Sequence, residues 1–117
     1  MASGRNDRVA PPAHPEGYVV RFLNNGAAKG WEDFVQAAPN PLWAAWQTLI
    51  TTPQKPANKS RHHRLKGLLS TLELKGNVFE QWQYEVTAGG RIWFCVDEAK
   101  RTVWLKKVSL GHPNETK

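Results

Sequence analysis

Arg91, Trp93, Trp104 and Lys106 fall at alternate positions of two neighbouring apolar runs, Arg91-Ile-Trp-Phe-Cys-Val96 and Thr102-Val-Trp-Leu-Lys-Lys-Val108. Side chains of a strand alternate between faces, so Ile92, Phe94 and Val96 share a face with Val103, Leu105 and, by the same count, Lys107. The opposite face then carries Arg91, Trp93, Cys95, Trp104 and Lys106. A guanidinium and an ammonium set among indoles can stack on bases and hold phosphates. The same alternation also allows Trp93 and Trp104 to pair with each other across strands while the charges merely solvate the surface.

A second concentration of chemistry lies upstream. Lys55, Lys59, Arg61, Arg64 and Lys66 follow one another with no acidic residue between them. Residues 1–54 hold 4 basic and 4 acidic side chains, whereas residues 55–117 hold 12 basic and 6 acidic ones, so the net charge of +6 belongs to the second half. Such asymmetry favours phosphates, anionic lipid or an acidic partner. Lys55, Lys59 and Arg61 read as charges that steer a polyanion from a distance.

Other chemistries find little support. The four histidines, two of them adjacent and one near the N-terminus, and the single cysteine give no usual metal-ligand spacing. Cys95 has no partner for an internal disulfide and sits in an apolar strand, as expected of a small buried residue in a reducing compartment. No apolar run approaches the roughly 18 residues of a membrane span, and no hydrophobic signal core opens the sequence, so a cytoplasmic protein with no membrane contact is expected.

The elements that must position these residues follow from pattern and punctuation. Residues 1–16, rich in Pro and Gly and without periodicity, read as a disordered leader ahead of one domain over residues 17–117. Tyr18-Val-Val-Arg-Phe-Leu23 reads as a strand ending at Asn24-Asn25-Gly26. Ala27, Trp31, Phe34, Val35 and Ala38 then recur at helical spacing. After the Pro39-Asn-Pro41 break, Asn40 can cap a second helix, with Pro41 at its first position and Leu42, Trp43, Trp46, Leu49 and Ile50 along one face. Trp31, Trp43 and Trp46 are expected in the core or at a protein interface. Residues 53–63 read as a polar connection. Thr71-Leu-Glu-Leu74 and Val78-Phe-Glu-Gln81 can form a hairpin leading into Trp82-Gln-Tyr-Glu-Val86, and the turns at Ala88-Gly89-Gly90 and Asp97-Glu-Ala-Lys100 separate the last three strands.

This order, with the basic loop His63-Arg64-Leu65-Lys66-Gly67, then Tyr84, Gly90-Arg91-Ile92, Val103 and Ser109-Leu110-Gly111-His112, resembles the RelE/ParE superfamily of bacterial type II toxins. The resemblance runs from Tyr18 to His112 and implies an α+β fold of β-α-α-β-β-β order, with two N-terminal helices packed on one face of a small, mainly antiparallel sheet. It implies a toxin that cuts messenger RNA, usually on the ribosome, and is neutralised by a cognate antitoxin, with any contact to operator DNA made only through that antitoxin. The implied chemistry needs no metal or cofactor: a ribose 2′-hydroxyl attacks the adjacent phosphate, assisted by a base, by cations at the phosphate oxygens and by an acid at the departing oxygen.

By position, the resemblance gives Arg91 the scissile phosphate and Arg64 and Lys66 the two basic places around the leucine. His112 takes the place of a C-terminal histidine able to move a proton, and His63 a place where some relatives use a glutamate base. Gly90 departs from the aromatic or histidine usual before the arginine. The ParE branch of the same superfamily inhibits DNA gyrase without cleaving RNA, and a nucleic-acid-binding module without toxicity is a third reading.

Overall fold

A computed structural model describes residues 17–111; the N-terminal leader and His112 lie outside the described residues. The chain runs β1 (Val19–Phe22), α1 (Asn25–Ala37), α2 (Pro39–Thr51), β2 (His62–Arg64), a 3-10 turn (Gly67–Leu69), β3 (Thr71–Leu74), β4 (Asn77–Glu85), β5 (Arg91–Asp97) and β6 (Thr102–Ser109). The strands form one sheet in the order β1-β6-β5-β4-β2, with β3 paired to the outer part of β4. Only β1 against β6 is parallel; the other pairings are antiparallel. This is the expected α+β arrangement, with more strands than the resemblance alone implied.

Asn24 ends β1 and starts α1, its side-chain oxygen accepting the Ala27 N–H at 2.7 Å. The second helix begins earlier than expected. Ala38, not Asn40, is its N-cap, and Pro39 occupies the first turn where its missing N–H costs nothing. Ala38 also closes α1 by donating its N–H to the Phe34 carbonyl at 2.8 Å, so one residue both ends one helix and begins the next.

Ala27 and Phe34 of α1 and Leu42, Ala45 and Leu49 of α2 bury against Trp82, Val86, Ile92, Phe94, Val96, Val103, Leu105 and Val108 of the sheet. Together these residues form a single core on one face. Helix α1 presses so closely on β6 that a Cβ on Gly30 would stand 1.8 Å from the Val108 carbonyl oxygen. Of the helical tryptophans, Trp31 packs edge-on against Phe22 at 6.1 Å, while Trp43 stacks on Trp46 at 5.4 Å and remains 58% exposed. That pair, exposed at Trp43 and half-buried at Trp46, stands apart from the core cluster.

The structure alters the sequence reading at two places. The segment expected to be a polar connection ends in a true strand, because β2 pairs with β4 through His62–Tyr84, His63–Gln83 and Arg64–Trp82. A break in register between β5 and β6 also moves Lys107. Phe94 pairs with Leu105 but Trp93 pairs with Lys107, leaving Lys106 as an extra, bulged residue. Lys107 therefore leaves the core-side count and joins Trp93 on the open face.

Candidate functional site

Among the described residues the helices cover one face of the sheet; on the other, open face Gln83, Glu85, Arg91, Trp93 and Lys107 keep contact with solvent while Gln81 and Cys95 are buried, and the pairing register lays these residues out in rows. One row crosses four strands: His63 on β2, Gln83 on β4, Trp93 on β5 and Lys107 on β6. Trp93 donates its indole N–H to the Gln83 side-chain oxygen at 2.8 Å, and the Lys107 ammonium sits 4.7 Å from the centre of the Trp93 ring. The indole is thus fixed at its edge and carries a cation on its face. Since the Gln83 oxygen is engaged, its amide N–H groups are left to face a ligand.

The next row holds Glu85, Arg91 and Ser109. Val86 donates to the Gly90 carbonyl at 2.8 Å and closes the turn, which sets Glu85 directly opposite Arg91. Side chains so paired stand roughly 5 Å apart at Cβ. Among the described residues no ion pair joins them. Gln83, Glu85, Gly89, Gly90 and Arg91 line a cleft of about 200 Å³. Gly90 is there for want of room: a Cβ would come within 2.6 Å of the Leu110 carbonyl oxygen and 2.7 Å of the Phe34 ring. The departure from an aromatic or histidine at this position therefore follows from close packing of the turn on α1.

Trp104 lies on the same face but opposite Cys95, next to Arg21 of β1, and borders a shallow hollow shared with Phe79 and Asp97. The two indoles are not cross-strand partners, because Trp104 pairs with Cys95 and Trp93 with Lys107. Cys95 is buried, and that burial, helped by Asp97, pushes its thiol up to about 11. It stays protonated and unreactive.

The basic loop divides its residues. Arg64 points to the side opposite His63, where it pairs with Glu80 at 3.5 Å and donates to the Ser70 carbonyl at 3.1 Å. It braces the β3–β4 hairpin and is not gathered with Arg91. Lys66 and Lys59 are exposed, and Lys66 precedes the 3-10 turn. Lys55 and Arg61 come together beside α2, away from the open face. His62, flanked by the rings of Trp82, Tyr84 and Phe94 at 5.5 to 6.0 Å, is buried and holds the Pro53 carbonyl at 2.7 Å. Burial pulls its pKa below the ordinary imidazole value.

Three residues of the open face, Gln83, Glu85 and Lys107, were not singled out from the sequence. Counting outward from the 87–90 turn places Glu85 against Arg91, so that signal was present. Lys107 depended on a bulge that no residue type announces.

No protein-family model matches the sequence, and no curated protein matches it. Solved structures do match. A chain of the archaeal RelE–RelB complex from Pyrococcus horikoshii OT3 superposes with TM-score 0.55 at 11% identity, over 83% of this chain and 97% of that one. A metal-bound toxin from Helicobacter pylori gives 0.56 at 12%, over 80% and 93%. A chain of the toxin–antitoxin complex RelBE2 from Mycobacterium tuberculosis gives 0.50 at 16%, over 86% and 99%. The architecture is therefore that of a small α+β protein with one helix-covered and one open sheet face. Its fold is the RelE-like toxin fold.

Proposed function

We propose that this protein is the toxin of a type II toxin–antitoxin pair, a metal-free endoribonuclease that cleaves messenger RNA in the cytoplasm, on the ribosome, and thereby stops translation. The observation that carries the reading is Arg91, which stands unpaired among the described residues, in a cleft opposite Glu85 and beside an indole platform topped by Lys107. Trp93 offers a base a surface to stack on, and Gln83 offers amide donors to its edge. Arg91 and Lys107 offer cations to the phosphate that follows.

Cleavage then needs three events. Glu85, or His63 one row away, takes the proton of the ribose 2′-hydroxyl as its oxygen bonds to phosphorus. Arg91 holds the negative charge that builds on the phosphate oxygens. As the bond from phosphorus to the 5′-oxygen breaks, His112 gives that oxygen a proton, leaving a cyclic phosphate on one fragment and a hydroxyl on the other. Lys66 acts on the charge of the RNA strand more than on the reacting phosphate, while Arg64, engaged with Glu80 and Ser70, braces the hairpin beside it.

The fold shared with chains of two toxin–antitoxin complexes supports a cognate antitoxin as partner, and exposed Trp43, stacked on Trp46, offers such a protein an aromatic anchor. Induced expression of the chain alone, followed by pulse labelling, tests the reading: amino-acid incorporation is expected to fall before thymidine incorporation. Early loss of thymidine incorporation with translation intact would instead assign the chain to non-catalytic gyrase inhibition.

A further inference from the structure

The basic half of the molecule holds an opening larger than the Arg91 cleft. Beneath the loop that joins α2 to β2 lies a cavity of about 280 Å³. Thr48 of α2 and its C-cap Thr52, Lys55, Asn58 and Arg61 of the loop, and Tyr84 and buried His62 of the adjoining strands line it. At about 30 Å³ per water, it has room for a phosphate with a sugar attached.

The loop is built, not slack. The Asn58 carbonyl accepts the N–H groups of Arg61 and His62 at 3.2 and 2.9 Å, and its side-chain oxygen accepts the Ser60 N–H at 3.0 Å and the Ser60 hydroxyl at 2.7 Å. His62 pins Pro53, and the Arg61 carbonyl accepts the Glu85 N–H at 2.7 Å. These bonds fix where Lys55 and Arg61 stand.

The polar inventory of the cavity is one-sided, since among the described residues no carboxylate lines it. With its oxygen committed to Ser60, the Asn58 side chain has only its amide N–H groups left to offer. The Tyr84 hydroxyl and the Lys55 ammonium have no hydrogen-bond partner among the described residues, and Arg61 gives only one long bond, 3.4 Å to the Val86 carbonyl. The residues that line the cavity thus bring an ammonium, a guanidinium, an amide and a phenol to one opening. That geometry suits the tetrahedral oxygens of a phosphate better than the two coplanar oxygens of a carboxylate.

We propose that this cavity is a phosphate-binding site that takes a nucleotide, lying on the helix-covered side of the sheet and distinct from the Arg91 cleft. The phosphate belongs either to the RNA strand that the open face engages, led around the sheet edge past Arg61, or to a free nucleotide. Only the first source rests on the proposed ribonuclease activity.

Titration of the isotope-labelled full chain with a nucleoside monophosphate, followed by nuclear magnetic resonance, tests the site. Saturable shifts are expected at the Asn58 side-chain amide, the Arg61 side chain and the His62 ring. Lys55→Ala and Tyr84→Phe should each weaken binding by roughly tenfold, with spectra elsewhere unchanged. Arg91→Ala should leave it intact, which separates this site from the cleavage reading. Competition by a short single-stranded oligoribonucleotide would identify a strand phosphate; saturable binding without competition would identify a free nucleotide, and both uphold the site. Absence of saturable shifts, equal affinity in Lys55→Ala and Tyr84→Phe, or shifts produced by an acidic peptide and not by the nucleotide, would overturn it.

Discussion

Arg91 and Glu85 face each other across the β4–β5 hairpin without an ion pair between them. Two opposite charges left unjoined beside a cleft are both available to a substrate, one to its phosphate and the other to its hydroxyl proton. This relationship also raises the question of which group is the base.

Glu85 is nearer to Arg91 in register than His63, which lies one row away on β2. Glu85→Gln is expected to cut the single-turnover cleavage rate by on the order of a hundredfold, and His63→Gln by far less. Because an imidazole base would leave an acid limb nearer neutrality than a carboxylate, the pH–rate profiles of the two variants check the assignment independently. If His63→Gln removes the acid limb while Glu85→Gln cleaves normally, the proton goes to the imidazole.

The basic loop should divide in its salt dependence. Neutralising Lys59 or Lys66, both exposed and without an ion pair among the described residues, should lower the slope of log affinity against log salt by about 0.7 per contact for single-stranded RNA. Arg64→Ala should change that slope least, since its guanidinium is already engaged with Glu80 and Ser70. Filter binding across a salt series reads all three; equal slopes for every variant would make this run solvated surface.

His62 predicts a pH dependence of stability. Its folded-state pKa lies below the ordinary 6.5 through burial, a shift that the bond to Pro53 opposes and the nearby His63 favours. Above about pH 6.5 both folded and unfolded forms are neutral and nothing is lost; below it the unfolded chain takes the proton first, so stability falls as pH drops. Thermal melts should therefore shift downward between about pH 7 and about pH 5.5, and His62→Gln should flatten that shift. An unchanged pH response in His62→Gln would place the titrating group elsewhere.

What the sequence disclosed follows from where local pattern and tertiary structure agree. β5 and β6 alternate cleanly and are bounded by turn residues, so their core faces, Ile92–Phe94–Val96 and Val103–Leu105, were legible. The Thr71–Gln81 hairpin was legible as well, and its turn is made by Lys75 and Gly76 with φ of 53° and 85°. β2 was not, because His-His-Arg has no strand signature. It is a strand because β4 offers it an edge and because His62 finds three aromatic rings to pack against. The open face was half legible: Arg91 and Trp93 follow from alternation, but the bulge that sets Lys107 opposite Trp93 interrupts that alternation where no turn or breaker residue marks it.

The most direct test of the account is single-turnover cleavage of message on programmed ribosomes by the parental chain and by Arg91→Ala, with filter binding in parallel. The parent is expected to cleave, and Arg91→Ala to lose roughly 3 kcal/mol of transition-state stabilisation, on the order of a hundredfold in rate, while keeping most of its affinity for RNA. Cleavage by Arg91→Ala at the parental rate, or no cleavage by the parent at all, would contradict it.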